Sequence, residues 1–267
     1  MSNESNLPRT ALITGAGNSK GIGFATAKAL GLLGYRIGIT STSDRIWDRV
    51  KELEISGVEA FGYIADLTLE EEADALVNAV IERFNSLDVL VNNAGMTSIS
   101  NPAEDGEGPL ENYTLPSWQL AISRNLDTTM LVSKGAMPFL KKSAAGRLIN
   151  VASATGPVLV MRDMVAYATA KTALIGFTRA VALDYAHLPL TVNAVAPGWI
   201  ASSTDSEHEI RQGAAVPMRR RGTSDEVASA IVWLASPGAS YITGQCIVLD
   251  GGNALPEERD GQGIVFS

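Results

Sequence analysis

Short apolar runs rich in β-branched residues alternate along this chain with longer stretches whose apolar positions recur at helical spacing. Residues 10–14 (TALIT), 35–40 (YRIGIT), 59–64, 87–91, 146–152, 190–196 and 245–249 read as seven strands. Residues 21–34, a segment beginning near Arg45, 70–84, one long run from about 116 to 141, the stretch carrying Tyr167 and Lys171, and 224–235 read as helices. Residues 202–212 carry a weaker helical pattern between flexible ends. Strand and helix in alternation imply an α/β domain with a parallel sheet covered on both faces and ligands at the carboxyl ends of the strands. Residues 97–114 are polar, with Pro102, Gly106, Gly108 and Pro109, and read as a long loop of the kind that rims a binding site.

Composition narrows the picture. A chain of 267 residues, 46% apolar, can bury one large core, so one domain over residues 1–267 is expected. The net charge of -8 gives no long-range attraction to nucleic acid or to an anionic membrane. The single cysteine, Cys246, excludes an internal disulfide and agrees with a reducing, cytoplasmic setting. The first residues lack a signal-peptide core, and no stretch has the uninterrupted apolar length of a membrane span. His187 and His208 lie far apart without carboxylate or cysteine clusters at ligand spacing, so both read as surface residues and no catalytic metal is expected.

Candidate chemistry collects at the ends of the expected strands. After the first comes TGAGNSKGIG, in which Gly15, Gly21 and Gly23 would let the backbone, with Ser19, Lys20 and Ile22, approach a pyrophosphate met by the helix start. A plain tight turn would use such glycines too. Ser41 stands where an acidic residue would hold a free ribose 2′-hydroxyl and repel a 2′-phosphate, with Thr42, Arg45 and Lys20 able to donate or bring positive charge; this favours NADP(H), with NAD(H) possible. Asp44 opposes that reading unless it caps the following helix. Asp66, beside Leu67, either accepts from an adenine amine or caps the helix after it. Asn125 sits inside the long helix, where asparagine has no propensity advantage, either solvated or with its amide in use.

The stretch 150–171 ends a buried strand at Ser153 and then presents Tyr167 and Lys171, one helical turn apart on a shared face. A tyrosine working near neutrality needs a shift of roughly 3 units, about 4 kcal/mol. A cation about 5 Å away at an effective dielectric near 20 supplies about 3 kcal/mol. Lysine is therefore expected to acidify the phenol, although the same pair fits an ordinary amphipathic helix. Val158, Leu159, Met161, Met164 and Trp199 suggest an apolar pocket wall or plain core packing. Arg219, Arg220 and Arg221 form either an anion-binding patch or a basic turn paired with Asp225 and Glu226.

Taken in order, TGAGNSKGIG, Asp66, Asn92 to Gly95 (NNAG), Asn125, Ser153, Tyr167-x-x-x-Lys171, Pro197-Gly198 and Asp250 to Gly252 (DGG) resemble the short-chain dehydrogenase/reductase family, and its 3-oxoacyl carrier-protein reductase-like branch most. The resemblance implies a Rossmann-type doubly wound, mostly parallel seven-stranded sheet with helices on both faces. It implies an oxidoreductase moving hydride between NADP(H) and a ketone or secondary alcohol. Tyr167 would be the proton donor or acceptor, Lys171 its tuner and ribose contact, Ser153 the carbonyl-orienting group and Asn125 the holder of a relay water. Asn93, Ala94 and Gly95 would lie along the adenosine half, Ile200 and Ser202 near the carboxamide beyond Pro197 and Gly198. Family members are usually tetramers, so a homotetramer or homodimer is implied, with a substrate loop near 97–115, a lid near 201–221 and a tail over 254–267. Three departures stand out. Five residues separate Gly15 from Gly21, two more than usual, Ser153 to Tyr167 is one residue longer, and the stretch from Gly95 to Asn125 is extended.

Overall fold

The computed structural model describes residues 8–95, 108–202 and 206–256. The stretch expected as loop between 96 and 107, residues 203–205 and the tail beyond 256 lie outside the described residues. Seven strands form a single sheet in the order β3-β2-β1-β4-β5-β6-β7. They are β1 (Thr10–Ile13), β2 (Arg36–Ser41), β3 (Ala60–Ile64), β4 (Val89–Asn92), β5 (Gly146–Val151), β6 (Leu190–Pro197) and β7 (Cys246–Leu249), and every adjacent pair is parallel. The helices are α1 (Ile22–Leu32), α2 (Arg45–Ile55), α3 (Glu70–Phe84), α4 (Leu115–Ile122), α5 (Thr128–Leu140), α6 (Val165–Tyr185), α7 (Glu207–Ala214) and α8 (Ser224–Ala235). None among the described residues is long and apolar enough to cross a membrane.

Strand alternation builds two cores. Ala11 and Ile13 of β1 face one side with Phe24 and Leu30 of α1, Leu53 of α2 and Ile231 of α8. Leu12, between them, faces the other side with Leu76 and Val80 of α3, Leu140 of α5 and Ala182 of α6. Both faces being covered, the strands read as apolar runs rather than as alternating apolar and polar positions. The chain leaves β1 toward β2 on one side and reaches β4 on the other, so a crevice opens where the carboxyl ends of β1 and β4 part.

Two helical expectations change. The run from about 116 to 141 is not one helix: α4 and α5 are joined by a π-helical turn, Ser123–Asp127, which holds Asn125. The extra residue per turn rotates Asn125 inward without ending the helix, and π turns of this kind gather at functional sites. The weak pattern at 202–212 becomes α7, beginning later, at Glu207, where the Ser206 hydroxyl accepts from Glu209 N–H and the Glu209 carboxylate accepts from Ser206 N–H.

Gly31 measures how closely α1 is seated, since a Cβ there would stand 2.4 Å from Val58 Cγ1. Gly31→Val is expected to lower the free energy of unfolding by about 1–3 kcal/mol through overpacking, read as a lower urea midpoint at unchanged slope.

Candidate active site

At the crevice the backbone turns of β1 and β4 are knitted together. The Asn93 amide donates to the carbonyls of Thr14 and Gly15, both at 3.0 Å, while the Asn93 and Ala94 N–H groups donate to Thr14 Oγ1 at 3.0 and 2.9 Å. Gly15 turns with φ +68°, and a Cβ there would lie 2.8 Å from Ala94 Cα. Only glycine fits both demands. Asn93, expected along an adenosine, thus spends its side chain on the turn. The two additional loop residues fold compactly: Asn18 Oδ1 accepts from Lys20 N–H and the Asn18 carbonyl from Gly21 N–H. α1 follows with Gly21 at its N-cap and no side chain capping it, which leaves its first-turn N–H groups facing the loop.

The end of β2 closes this cradle. A Cβ on Gly17 would meet Ser41 Cβ at 2.8 Å, so the loop lies directly on Ser41. Ser41 Oγ donates to the Ser43 carbonyl at 2.8 Å and Arg45 Nε donates to Ser43 Oγ at 3.1 Å. Thr42, Arg45, Ser19 and Lys20 are exposed. Asp44 precedes α2 in helical conformation and makes no capping bond, so the structural reason expected for it is absent. Asp66 caps nothing either: it accepts from Thr68 N–H and Oγ1, and α3 starts later, from Leu69. The buried Leu67 that follows belongs to the core beneath.

Four side chains converge one strand further on. Asn125, 5% exposed, donates from Nδ2 to the Ala121 carbonyl at 3.1 Å. A Cβ on Gly95 would stand 3.2 Å from both Asn125 Oδ1 and Lys171 Nζ, so this glycine is the point where the two meet. Lys171 donates to the Val151 carbonyl at 3.2 Å and lies 5.7 Å from the Tyr167 ring centroid. The Ser153 hydroxyl stands near enough to the Tyr167 hydroxyl to lower its pKa, and Thr155 N–H donates to Ser153 Oγ at 3.1 Å.

The carboxyl end of β6 supplies the far wall. Gly198 N–H donates to the Leu249 carbonyl at 2.8 Å, and Ala201 N–H and Gly222 N–H pair with the Gly222 and Trp199 carbonyls at 2.9 Å each. Ile200 therefore bridges to Gly222, bringing the two ends of the segment 201–221 together, with Ser202 just inside this neck. Met218 N–H donates to the Gly251 carbonyl at 3.1 Å, so the turn after β7 holds the same segment. Gly222 carried no sequence signal beyond being a glycine after three arginines. Tyr113 was equally unmarked, yet it packs edge-on to Trp118 and its hydroxyl accepts from Ala166 N–H at the start of α6. Of the three arginines, Arg220 pairs with Glu226 through two bonds of 2.9 and 2.6 Å, as the basic-turn reading expects. His187 and His208 are exposed, His208 edge-on to Trp199 at 6.2 Å.

Residues 15–254 match the family described as Enoyl-(Acyl carrier protein) reductase. A 3-oxoacyl-[acyl-carrier-protein] reductase of Synechocystis sp. is 36% identical over 92% of this chain and 97% of its own. The chain belongs to the short-chain dehydrogenase/reductase family. Among solved structures, a variant of actinorhodin polyketide ketoreductase with NADPH superposes with a TM-score of 0.83 at 32% identity, covering 93% of this chain and 98% of that one. The ligand-free aldohexose dehydrogenase of Thermoplasma acidophilum gives 0.82 at 30%, covering 95% and 97%.

The electrostatics of this short-chain dehydrogenase/reductase reverse one expectation. Burial raises the Tyr167 pKa above its ordinary value, and the Ser153 hydrogen bond only offsets part of this. The Lys171 ammonium donates to the Val151 carbonyl and stands 5.7 Å from the Tyr167 ring centroid, and it is burial that sets the direction of the phenol's shift. Burial instead lowers Lys171 from 10.5 to about 8. A lysine depressed in the folded state binds fewer protons than in the unfolded chain between about pH 8 and 10.5, so stability rises with pH across that window. In the cofactor-free protein, the unfolding free energy of wild type relative to Lys171→Met is expected to rise by about 3 kcal/mol over that interval. Denaturant titrations at stepped pH check this, and a flat difference would contradict it.

Proposed function

We propose that this protein is an NADP(H)-dependent carbonyl reductase, or alcohol dehydrogenase in reverse, acting on a small to medium, hydrophobic ketone. The observation that carries the reading is the meeting of Asn125 and Lys171 at Gly95, with the Tyr167 ring beside Lys171 and Ser153 beside the Tyr167 hydroxyl. The cradle fits a dinucleotide: Gly15 and Gly17 let the loop lie close against Ala94 and Ser41, α1 begins without a side-chain cap, and no carboxylate stands at Ser41. Gly15, Ser19, Gly21, Ile22 and Gly23 would hold the pyrophosphate. Lys20, Ser41, Thr42 and Arg45 would hold the 2′-phosphate, Asp66 and Leu67 the adenine, Ala94, Gly95, Pro197, Gly198, Ile200 and Ser202 the remainder. The relatives named for 3-oxoacyl reduction and the ketoreductase solved with NADPH support the same cofactor and reaction type.

NADPH, when bound, supplies the hydride. The chain supplies orientation and the proton. Ser153 and Tyr167, whose hydroxyls are close enough for the serine to lower the phenol's pKa, would both reach one carbonyl oxygen. A phenol whose pKa lies above its ordinary value is neutral at pH 7, which is the form that donates. Lys171, with a pKa of about 8, is mostly protonated at pH 7 and offsets negative charge left on the phenol. Asn125, fixed by its bond to Ala121, would hold a relay water from the Oδ1 side. Val158, Leu159, Met161, Met164 and Trp199 are all at least partly exposed, which favours pocket wall over core packing. A 3-oxoacyl thioester is the second reading, favoured by the relatives' names.

The proposal extends to a cytoplasmic homotetramer or homodimer of single-domain subunits, supported by the edge position of β7 and its exposed Val248. It treats 97–115, 201–221 and 254–267 as substrate loop, lid and tail.

Decay of NADPH absorbance with a panel of ketones and a 3-oxoacyl thioester tests the activity. Tyr167→Phe is expected to slow turnover about 100-fold or more while NADPH still binds. A second expectation concerns the cofactor: Arg45→Ala should raise the KM for NADPH about 10-fold and leave that for NADH unchanged. A wild-type preference for NADH would refute the assignment of Ser41, Lys20 and Arg45.

A further inference from the structure

A hydrogen-bonded chain of four side chains lies beneath the site. Asn92, Ser133, Asn150 and Thr178 are each at most 2% exposed. Asn92 Nδ2 donates to Ser133 Oγ of α5 and to Asn150 Oδ1 of β5, both at 2.9 Å. Asn150 Nδ2 donates to Thr178 Oγ1 of α6 at 2.9 Å, and the Thr178 hydroxyl donates onward to the Leu174 carbonyl at 2.7 Å. Every bond has a fixed direction, since the last acceptor is a carbonyl and each amide can present only one polarity to its neighbour.

The residues joined are those that set the catalytic geometry. Thr178 follows Lys171 by two helical turns on the same buried stripe of α6. Asn150 precedes Val151, whose carbonyl accepts from Lys171, and lies three residues before Ser153. Ser133 follows the Asn125 turn on α5, and Asn92 adjoins Asn93, which ties the glycine loop. The rest of the α6 stripe is mostly small, with Ala166, Ala170, Leu174 and Ala182. Alanines against a sheet resist axial sliding or rotation weakly, because they interlock little. A directional bond at Thr178 fixes what that packing leaves loose.

We propose that Asn150 and Thr178 are positioning residues of the reductase, setting the register of α6 on β5 so that Tyr167 and Ser153 meet one carbonyl oxygen. The inference rests on the carbonyl-reductase reading of the same site. It is tested with the full-length protein, NADPH and whichever ketone the wild type reduces best, turnover being counted per NADPH-binding site. Thr178→Val keeps the shape and removes the acceptor; kcat is expected to fall about 10- to 100-fold, with the KM for NADPH unchanged. Thr178→Ser, which restores the hydroxyl, is expected to return most of kcat. Should the valine variant not fold, Thr178→Cys, with its weaker acceptor, is measured in its place against the same expectation. Unchanged kcat per site, a serine variant as impaired as valine, or a loss that tracks only the amount of folded protein would each overturn the positioning role while leaving the enzyme reading intact. A wild type that reduces no ketone, or a Tyr167→Phe variant as active as wild type, would overturn the reading and the inference with it.

Discussion

Lys171 carries its ammonium almost out of water, 4% exposed, with the Val151 carbonyl at 3.2 Å and the Tyr167 ring face at 5.7 Å. Placing a cation there costs several kcal/mol before any partner is found, and the surroundings are shaped by that cost. Val151 must end β5 with its carbonyl turned to α6. Gly95 must lack a Cβ, because any side chain would stand within 3.2 Å of the ammonium. α6 must lie close against the sheet, which its alanine-rich stripe permits. The remaining positive charge is tolerated at the expense of a pKa brought down to about 8.

The sheet provides the rigidity this arrangement needs. With all seven strands parallel and both faces covered, the groups of interest sit just beyond strand ends: Gly15 after β1, Ser41 at the end of β2, Asn93 after β4, Ser153 after β5, Gly198 after β6. The β1 and β4 turns approach so closely that the Asn93 amide bonds across to Gly15. A crevice formed in this way is held by backbone contacts on both sides, so loop substitutions around it change its shape without unseating its floor.

Seven strands could be read from the sequence because doubly covered strands are apolar runs that stand apart from helical spacing. The candidate positions Gly15, Ser41, Asn93 and Ser153 were legible for the same reason, since ligands meet such a sheet at its strand ends. The break at Asn125 was not, because a π turn adds one residue without interrupting the apolar pattern of α4 and α5. Asp44 and Asp66 illustrate a different limit. Both precede helices and both are residues that cap well, yet neither caps, since the helix starts fall where Asp44 is itself helical and where Leu69 stands in for Asp66. The sign of the Tyr167 shift was missed because one-turn spacing fixes the distance between two side chains but not the burial that raises the phenol.

That reversed sign changes the chemical reading more than it first suggests. A phenol pushed toward ionisation would serve best as a base, accepting a proton from an alcohol. One kept neutral by burial and steadied by Ser153 is suited to giving its proton to a carbonyl oxygen as hydride arrives. The nearby cation then matters mainly after transfer, when negative charge on the phenol would otherwise be stranded in a dry site. Burial that raises Tyr167 above 10.0 and lowers Lys171 from 10.5 to about 8 moves the two groups' proton affinities apart, so of the pair it is the phenol that holds its proton more tightly. The phenol therefore gives up its proton only to an acceptor that itself gains negative charge, which a carbonyl oxygen does as it is reduced, and the lysine ammonium offsets the charge the phenol is left with.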